Sequence, residues 1–315
     1  MKEHHPYTGH THPTVASPAG QARVLTVRCP SGLSGDIILT GLCLMNGFGQ
    51  AELDSLTAAL NLPEVRGSVR LEIKSVNAVN GWHGRVDLPV AHEHRTCADI
   101  IRLIEATALE APAKDLARKT FQLLAEAEGF VHGKPADQVT FHEVGALDSI
   151  VDICISCALF ARLAPDHFYA SPLPLADGFV RCAHGILPTP APAVFFLLKD
   201  VTVTAFRGEG ETVTPTAIAL LKAFGATFGP WPFMRIAKTA LVYGTKVFPD
   251  APNGALWAYG ECIQPYGRKH ENAHPHGHEH SHGHEHSHEH DHAHEHGHSH
   301  GHDARQDAVT ADKTE

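Results

Sequence analysis

No stretch of this 315-residue chain approaches the roughly 20 consecutive apolar residues needed to cross a bilayer. Met1-Lys2-Glu3-His4-His5-Pro6 has no long apolar segment behind it, so no secretory signal is expected. A basic surplus is missing too: 25 Lys and Arg stand against 35 Asp and Glu. Up to residue 269 the balance is only −2, and the segment from His270 to Glu315 carries −8 of the net −10. A near-neutral body has no electrostatic footprint for nucleic acid and no polybasic patch for a membrane surface. The seven cysteines are odd in number and scattered, which argues against a disulfide framework and for reduced thiols in the cytoplasm. Up to residue 266 the chain also lacks a Walker A loop, a GxGxxG fingerprint, an HExxH zinc motif and a GxSxG nucleophile elbow.

What the chain has in excess is histidine. Of its 27 His, 16 lie between His270 and His302, at nearly every second position. They alternate with Gly, Glu, Ser, Ala, Asp and Pro, and no apolar residue larger than Ala occurs among them. Such a segment buries too little surface to offset its ordering entropy, so disorder is expected. His278, His280, His282, His284, His286 and His288 exemplify a tract suited to nickel, copper, zinc or cobalt. Without fixed geometry it cannot be an active site, but it can raise the local metal concentration for one. Composition divides the chain into a disordered segment 1–20, a body 21–266 and a disordered His-rich tail 267–315.

Within the body, Arg23 to Val27 reads as a strand, and Asp36 to Met45 and Glu52 to Leu60 as helices. Val69 to Lys74 alternates with period two; Asn80-Gly81 supplies turn chemistry, with Arg85 to Val90 as the returning strand. Helices are expected over Ala98–Ala108, Lys114–Glu128 (stopping at Gly129), Ser149–Leu163, Ala193–Leu198 and Thr216–Phe224. Short strands are expected at Val201–Phe206, Met234–Val242 and Ala255–Gly260. The mixture predicts an α/β body, with α+β as the alternative: a mixed sheet packed with helices.

Two constellations carry chemistry. Pro30-Ser31-Gly32-Leu33-Ser34-Gly35-Asp36 joins a strand to a helix. It is either a tight turn with Ser34 or Asp36 as the cap, or a contact from Ser34, Gly35 and Asp36 to a phosphate or its cation. His142, Glu143, Asp148 and Asp152 place one imidazole and three carboxylates in eleven positions. A cap role for Asp148 and a core hydrogen bond for His142 compete there with a metal or acid–base group. His94, His132 and His184 each stand beside a turn or glycine position, as either structural residues or converging ligands. Cys154 and Cys157 form CxxC inside an apolar helix and read as buried thiols.

These residues occur with others in a definite order. Pro30 to Asp36 is followed by His94-Arg95, Ala127-Glu128-Gly129-Phe130-Val131-His132-Gly133 and Phe141 to Asp152. Ala183-His184-Gly185-Ile186-Leu187-Pro188, Pro190-Ala191-Pro192-Ala193 and Thr214-Pro215-Thr216 come after. Over about residues 23–265 the chain resembles the N-terminal region of the LarC-type nickel insertion proteins of nickel-pincer cofactor biosynthesis, which serve lactate racemase maturation. The resemblance implies a lyase-type, CTP-dependent cyclometallase that inserts Ni(II) into a pyridinium-3,5-bisthiocarboxylic acid mononucleotide. It also implies Mn or Mg with CTP. That family's C-terminal domain resembles its CTP-binding part; here the His tail follows the body, so CTP is expected on a separate partner protein. Two further departures are Ala240-Leu241-Val242-Tyr243-Gly244-Thr245, where the family has a glycine-rich segment, and Ala217, where it usually has Gly. If the chain is such an enzyme, the residue chemistry makes His142, Glu143 and Asp148 the catalytic candidates. The metal candidates are His142, Glu143, Asp152, His94, His132 and His184 together with the tail. The alternative is a nickel chaperone or store without catalysis. A homo-oligomer fits either.

Overall fold

The computed structural model describes residues 21–88, 95–141, 144–182 and 185–263. His94, His142, Glu143, His184 and every histidine of the tail lie outside the described residues, as do segments 1–20 and 264–315.

The chain begins with strand β1 (Arg23–Arg28), then helices α1 (Gly35–Asn46) and α2 (Gln50–Ala59), and the hairpin β2 (Val69–Val76) and β3 (Val79–Val86). Next come β4 (Arg95–Thr96), α3 (Cys97–Ala106), α4 (Ala111–His132), β5 (Thr140–Phe141) and α5 (Leu147–Leu163). The second half runs through β6 (His167–Ala170), β7 (Leu173–Leu175), β8 (Phe179–Cys182), β9 (Gly185–Pro188) and α6 (Pro192–Leu197). It ends with β10 (Val203–Ala205), α7 (Pro215–Ala223), β11 (Thr227–Phe228), β12 (Met234–Val242) and β13 (Ala255–Cys262). Seven strands make one sheet in the order β11-β6-β1-β13-β12-β3-β2. It is mixed: β1 runs parallel to β6 and antiparallel to β13, and β12 runs parallel to β3. The α/β expectation therefore holds, with the sheet mixed and helices packed on it.

Helix α1 organises the interior. Nearly every residue in it is buried, so it is apolar on all sides, as a helix enclosed between layers must be. It packs on β3, β12 and β13 and against α5. Contact with the sheet depends on Gly41, because a Cβ there would lie 2.1 Å from the ring of the fully buried Trp257. α5 is equally apolar, and Cys154 and Cys157 are both buried in it, as read from the sequence. Phe160 of α5 stacks on Phe224 at 4.0 Å between ring centres, tying the end of α7 into the same core.

Two local expectations are corrected. The hairpin turns at Asn77-Ala78, not at Asn80-Gly81: Val76 pairs with Val79, and Asn80 and Gly81 lie inside β3. Asn77 and Ala78 both take left-handed backbone (φ 51° and 61°), the two-residue geometry that matches strand twist. The long β2–β3 register outweighs the strain at Ala78, a residue with no turn preference. Helix α4 also runs through Gly129 to His132 and ends at Gly133, whose φ of 62° closes it.

Replacing Gly41 with alanine tests this packing. Helix propensity alone would stabilise the variant by about 1 kcal/mol. Overpacking against Trp257 is expected to dominate and give a net loss of about 1–3 kcal/mol, measured by urea unfolding.

Candidate functional site

The loop into α1 is built by strand-like contacts, not by a side-chain cap. Leu33 forms a parallel bridge with Val213: Leu33 N donates to Thr212 O at 3.0 Å, and Thr214 N donates to Leu33 O at 3.1 Å. This ties the entry of α1 to the entry of α7. Ser34 occupies the N-cap position in extended backbone but makes no capping bond; its hydroxyl hydrogen-bonds Asp36 Oδ1 instead. The cap reading of this loop therefore fails for the Ser34 side chain. The first turn of α1 presents Gly35 and Asp36 to its neighbour α5.

α5 meets it there. Asp152 lies so close to Gly35 that a Cβ at position 35 would stand 2.6 Å from Asp152 Oδ2. Asp152 keeps some surface as a residue, but its Oδ1 is shut off from solvent and has no hydrogen-bond partner. Burial first, and then the neighbouring Asp36 and Asp148, push the Asp152 carboxyl well above the ordinary 3.8. Asp148 sits one helical turn before Asp152, on the same face. It is not the N-cap of α5, which is Ala146; its Oδ1 accepts from Ser149 N at 2.8 Å within the first turn. Three of the sequence-designated carboxylates thus converge where the starts of α1 and α5 cross.

Asp148 and Ser149 also line a cleft of about 340 Å³. Its other walls come from α4 (Glu128, Val131), the β8–β9 hairpin (Arg181, Leu187), Glu211 and the α7 entry (Thr214, Thr216). Thr214 caps α7, accepting from Ala217 N at 3.3 Å. The positive helix ends of α5 and α7 and Arg181 therefore line the same space as Glu128, Asp148 and Glu211. His132 is one turn beyond Glu128 on α4, its Nε2 3.4 Å from Glu128 Oε2. A space with both polarities suits an anionic ligand that brings a cation with it.

The structure brings Ser34, Gly35, Asp36, Asp148 and Asp152 together and sets His132 beside Glu128. It does not gather a ready-made metal centre: among the described residues, no three His, Cys, Asp or Glu are grouped to hold a metal ion. His142 and Glu143 lie between Phe141 and Val144 in the sequence, and Val144 lines the cleft. Glu128, Arg181, Glu211 and Thr216 were not singled out as site residues from the sequence. The ordered motifs around Glu128 and Thr216 were the signal available, whereas Arg181 and Glu211 had none.

Asp152→Asn tests whether the enclosed carboxyl burdens the fold. With the native pKa raised, the folded state holds the proton more tightly, so stability falls as pH rises above about 3.8. The variant is expected to be more stable than wild type near neutral pH, with the gain vanishing below about pH 4, in urea unfolding with EDTA present.

A family model described as nickel insertion protein matches residues 25–296. A protein of Myxococcus xanthus named for nickel insertion is 42% identical over 235 residues, covering 73% of this chain and 59% of the relative. One from Geotalea daltonii is 37% identical over 246 residues, covering 78% and 63%. One from Dictyoglomus thermophilum is 34% identical over 243 residues, covering 77% and 62%. The chain thus spans less than two thirds of the length of these relatives. No solved structure matches it.

Proposed function

Since the chain belongs to the nickel insertion protein family, we propose that its body inserts Ni(II) into a pyridinium-3,5-bisthiocarboxylic acid mononucleotide, as a lyase-type metallation enzyme. The observation that carries this reading is the Asp152 carboxyl, enclosed beside Asp36 and Asp148 with one oxygen unpaired. A fold keeps such an arrangement, at a cost in stability, where a ligand or proton uses it.

In this reading His142, Glu143 and Asp148 form the acid–base group. Forming a carbon–nickel bond displaces a ring proton, and a positioned imidazole or carboxylate takes it up. His142, Glu143, Asp152, His94, His132 and His184 hold nickel on its way to the substrate, since imidazole and carboxylate suit that ion. Ser34, Gly35 and Asp36 hold the substrate phosphate or its cation at the start of α1. CTP, with Mn or Mg, belongs to a separate CTP-binding partner; oxygen-rich acidic groups are what such hard cations take. The tail, including His278 to His288, supplies nickel at high local concentration. Cytoplasm is the proposed compartment. Among the described residues no helix is long and apolar enough to cross a membrane.

A nickel store without catalysis is the second reading, favoured by the 16 histidines between His270 and His302. Deleting residues 270–315 separates the two. The insertase reading expects the shortened protein to metallate the precursor in excess nickel with the CTP-binding partner supplied; loss of metallation from a still-folded body would sink it. His142→Ala is expected to abolish metallation while leaving the nickel capacity of the tail, measured by equilibrium dialysis, unchanged.

A further inference from the structure

β2 closes one side of the seven-stranded sheet, and among the described residues it has a neighbour on one side only. It is eight residues long and pairs with β3 without a break, from Val69 opposite Val86 to Val76 opposite Val79. It contains no proline and no bulge, two devices that commonly protect an open edge from pairing. Its first outward-facing groups are already occupied. The Gln50 side chain donates to Val69 O at 2.7 Å and accepts from Leu71 N at 3.2 Å. Because backbone groups alternate in direction along an antiparallel strand, Val69 and Leu71 fix which residues point away from β3. The next two are Ile73 and Ser75. Ile73 is 57% exposed and lies opposite Trp82, itself 37% exposed, so the open stretch of backbone carries an apolar patch with it.

We infer that two copies of this chain join through β2, antiparallel, about a twofold axis at Ile73. An isologous pair requires a self-complementary strand, and this register provides one. Ile73 meets Ile73 of the partner subunit, exchanging both N–H···O=C bonds and covering the two exposed side chains. Ser75 faces Leu71 of the partner subunit and donates its N–H to the outward Leu71 carbonyl; the Leu71 N–H stays with Gln50, so that pair makes one bond of two. Glu72 faces Lys74 of the partner subunit. Lys74 Nζ donates to Gly244 O and Thr245 O, and an ammonium has a third proton to give. The neighbouring registers are worse. Centring on Glu72 sets Glu72 against its own copy and Lys74 against Arg70 of the partner subunit. Centring on Lys74 sets lysine against lysine. Centring on Leu71 collides with Gln50. The inference is independent of the metallation reading, because it uses no residue of the cleft and is tested without nickel.

Sedimentation velocity of the full chain over a concentration series, with EDTA to prevent metal bridging by the tail, provides the test. The wild type is expected to show a reversible monomer–dimer equilibrium. Ile73→Pro removes only an outward N–H, and Ile73→Asp sets two carboxylates face to face at the axis. Each is expected to weaken association by roughly tenfold or more with circular dichroism unchanged. Under mild oxidation with diamide, Ile73→Cys is expected to cross-link to its copy, since directly opposed Cα atoms about 5.5 Å apart are within disulfide range. Ser75→Cys, which faces Leu71 of the partner subunit, is expected not to cross-link. A wild type that stays monomeric throughout overturns the inference. So does a dimer that survives both Ile73→Pro and Ile73→Asp, or one that cross-links through Ser75→Cys and not Ile73→Cys.

Discussion

The close approach of α1 and α5 at Gly35 is the constraint on which the site depends. A hydrogen atom at position 35 lets the Asp152 carboxyl enter the space beside the first turn of α1. Any larger side chain would force the helices apart or turn Asp152 away. The carboxyl then sits near Asp36 and Asp148 in surroundings that screen charge poorly, which is why burial and like charge together raise its pKa. This energetic burden is tolerated because α1 and α5 are otherwise almost wholly apolar and buried, so the same helices that create the repulsion supply the burial that offsets it.

The bridge between Leu33 and Val213 extends this arrangement to the second half of the chain. It brings the starts of α1 and α7 side by side, while α5 contributes Asp148 and Ser149 to the cleft beyond them. Segments nearly 180 residues apart in sequence therefore meet around one volume. Helix starts supply partial positive charge and the acids supply negative charge. An anionic ligand that brings a cation finds both in one place. Membership in the nickel insertion family agrees with such a cleft, although the family relation and the cleft are separate facts.

Much of the fold was legible in the residues. α1, α5 and α7 are long apolar segments, and their sequence boundaries fall within a few residues of the observed ones. The β2–β3 hairpin was legible as a hairpin but not at its turn. Asn80-Gly81 has the stronger local preference, yet the register of the two strands as a whole decides where the chain reverses, and that register puts Ala78 in left-handed backbone. Gly129 likewise looked like a helix stop because glycine lowers helix propensity, whereas packing of α4 against α5 and α6 carries the helix four residues further. At the site, Asp148 and Asp152 were legible as a pair from helical spacing. Their meeting with Asp36 was not, since those residues are more than a hundred positions apart. His94, His142, Glu143 and His184 fall outside the described residues, and their roles rest on the sequence.

Local chemistry and order along the chain, then, are properties of the residues themselves: the alternating histidines after His270, the all-apolar helices, the odd and scattered cysteines and the ordered motifs that mark the family. These follow from composition and short-range spacing, which a linear chain displays directly. Strand order, the bridge from Leu33 to Val213, the burial of Asp152 against Gly35 and the open edge at Ile73 were decided only by tertiary structure. Each depends on which distant surfaces come into contact, and that is settled by the packing of the whole core, where no single segment carries the information.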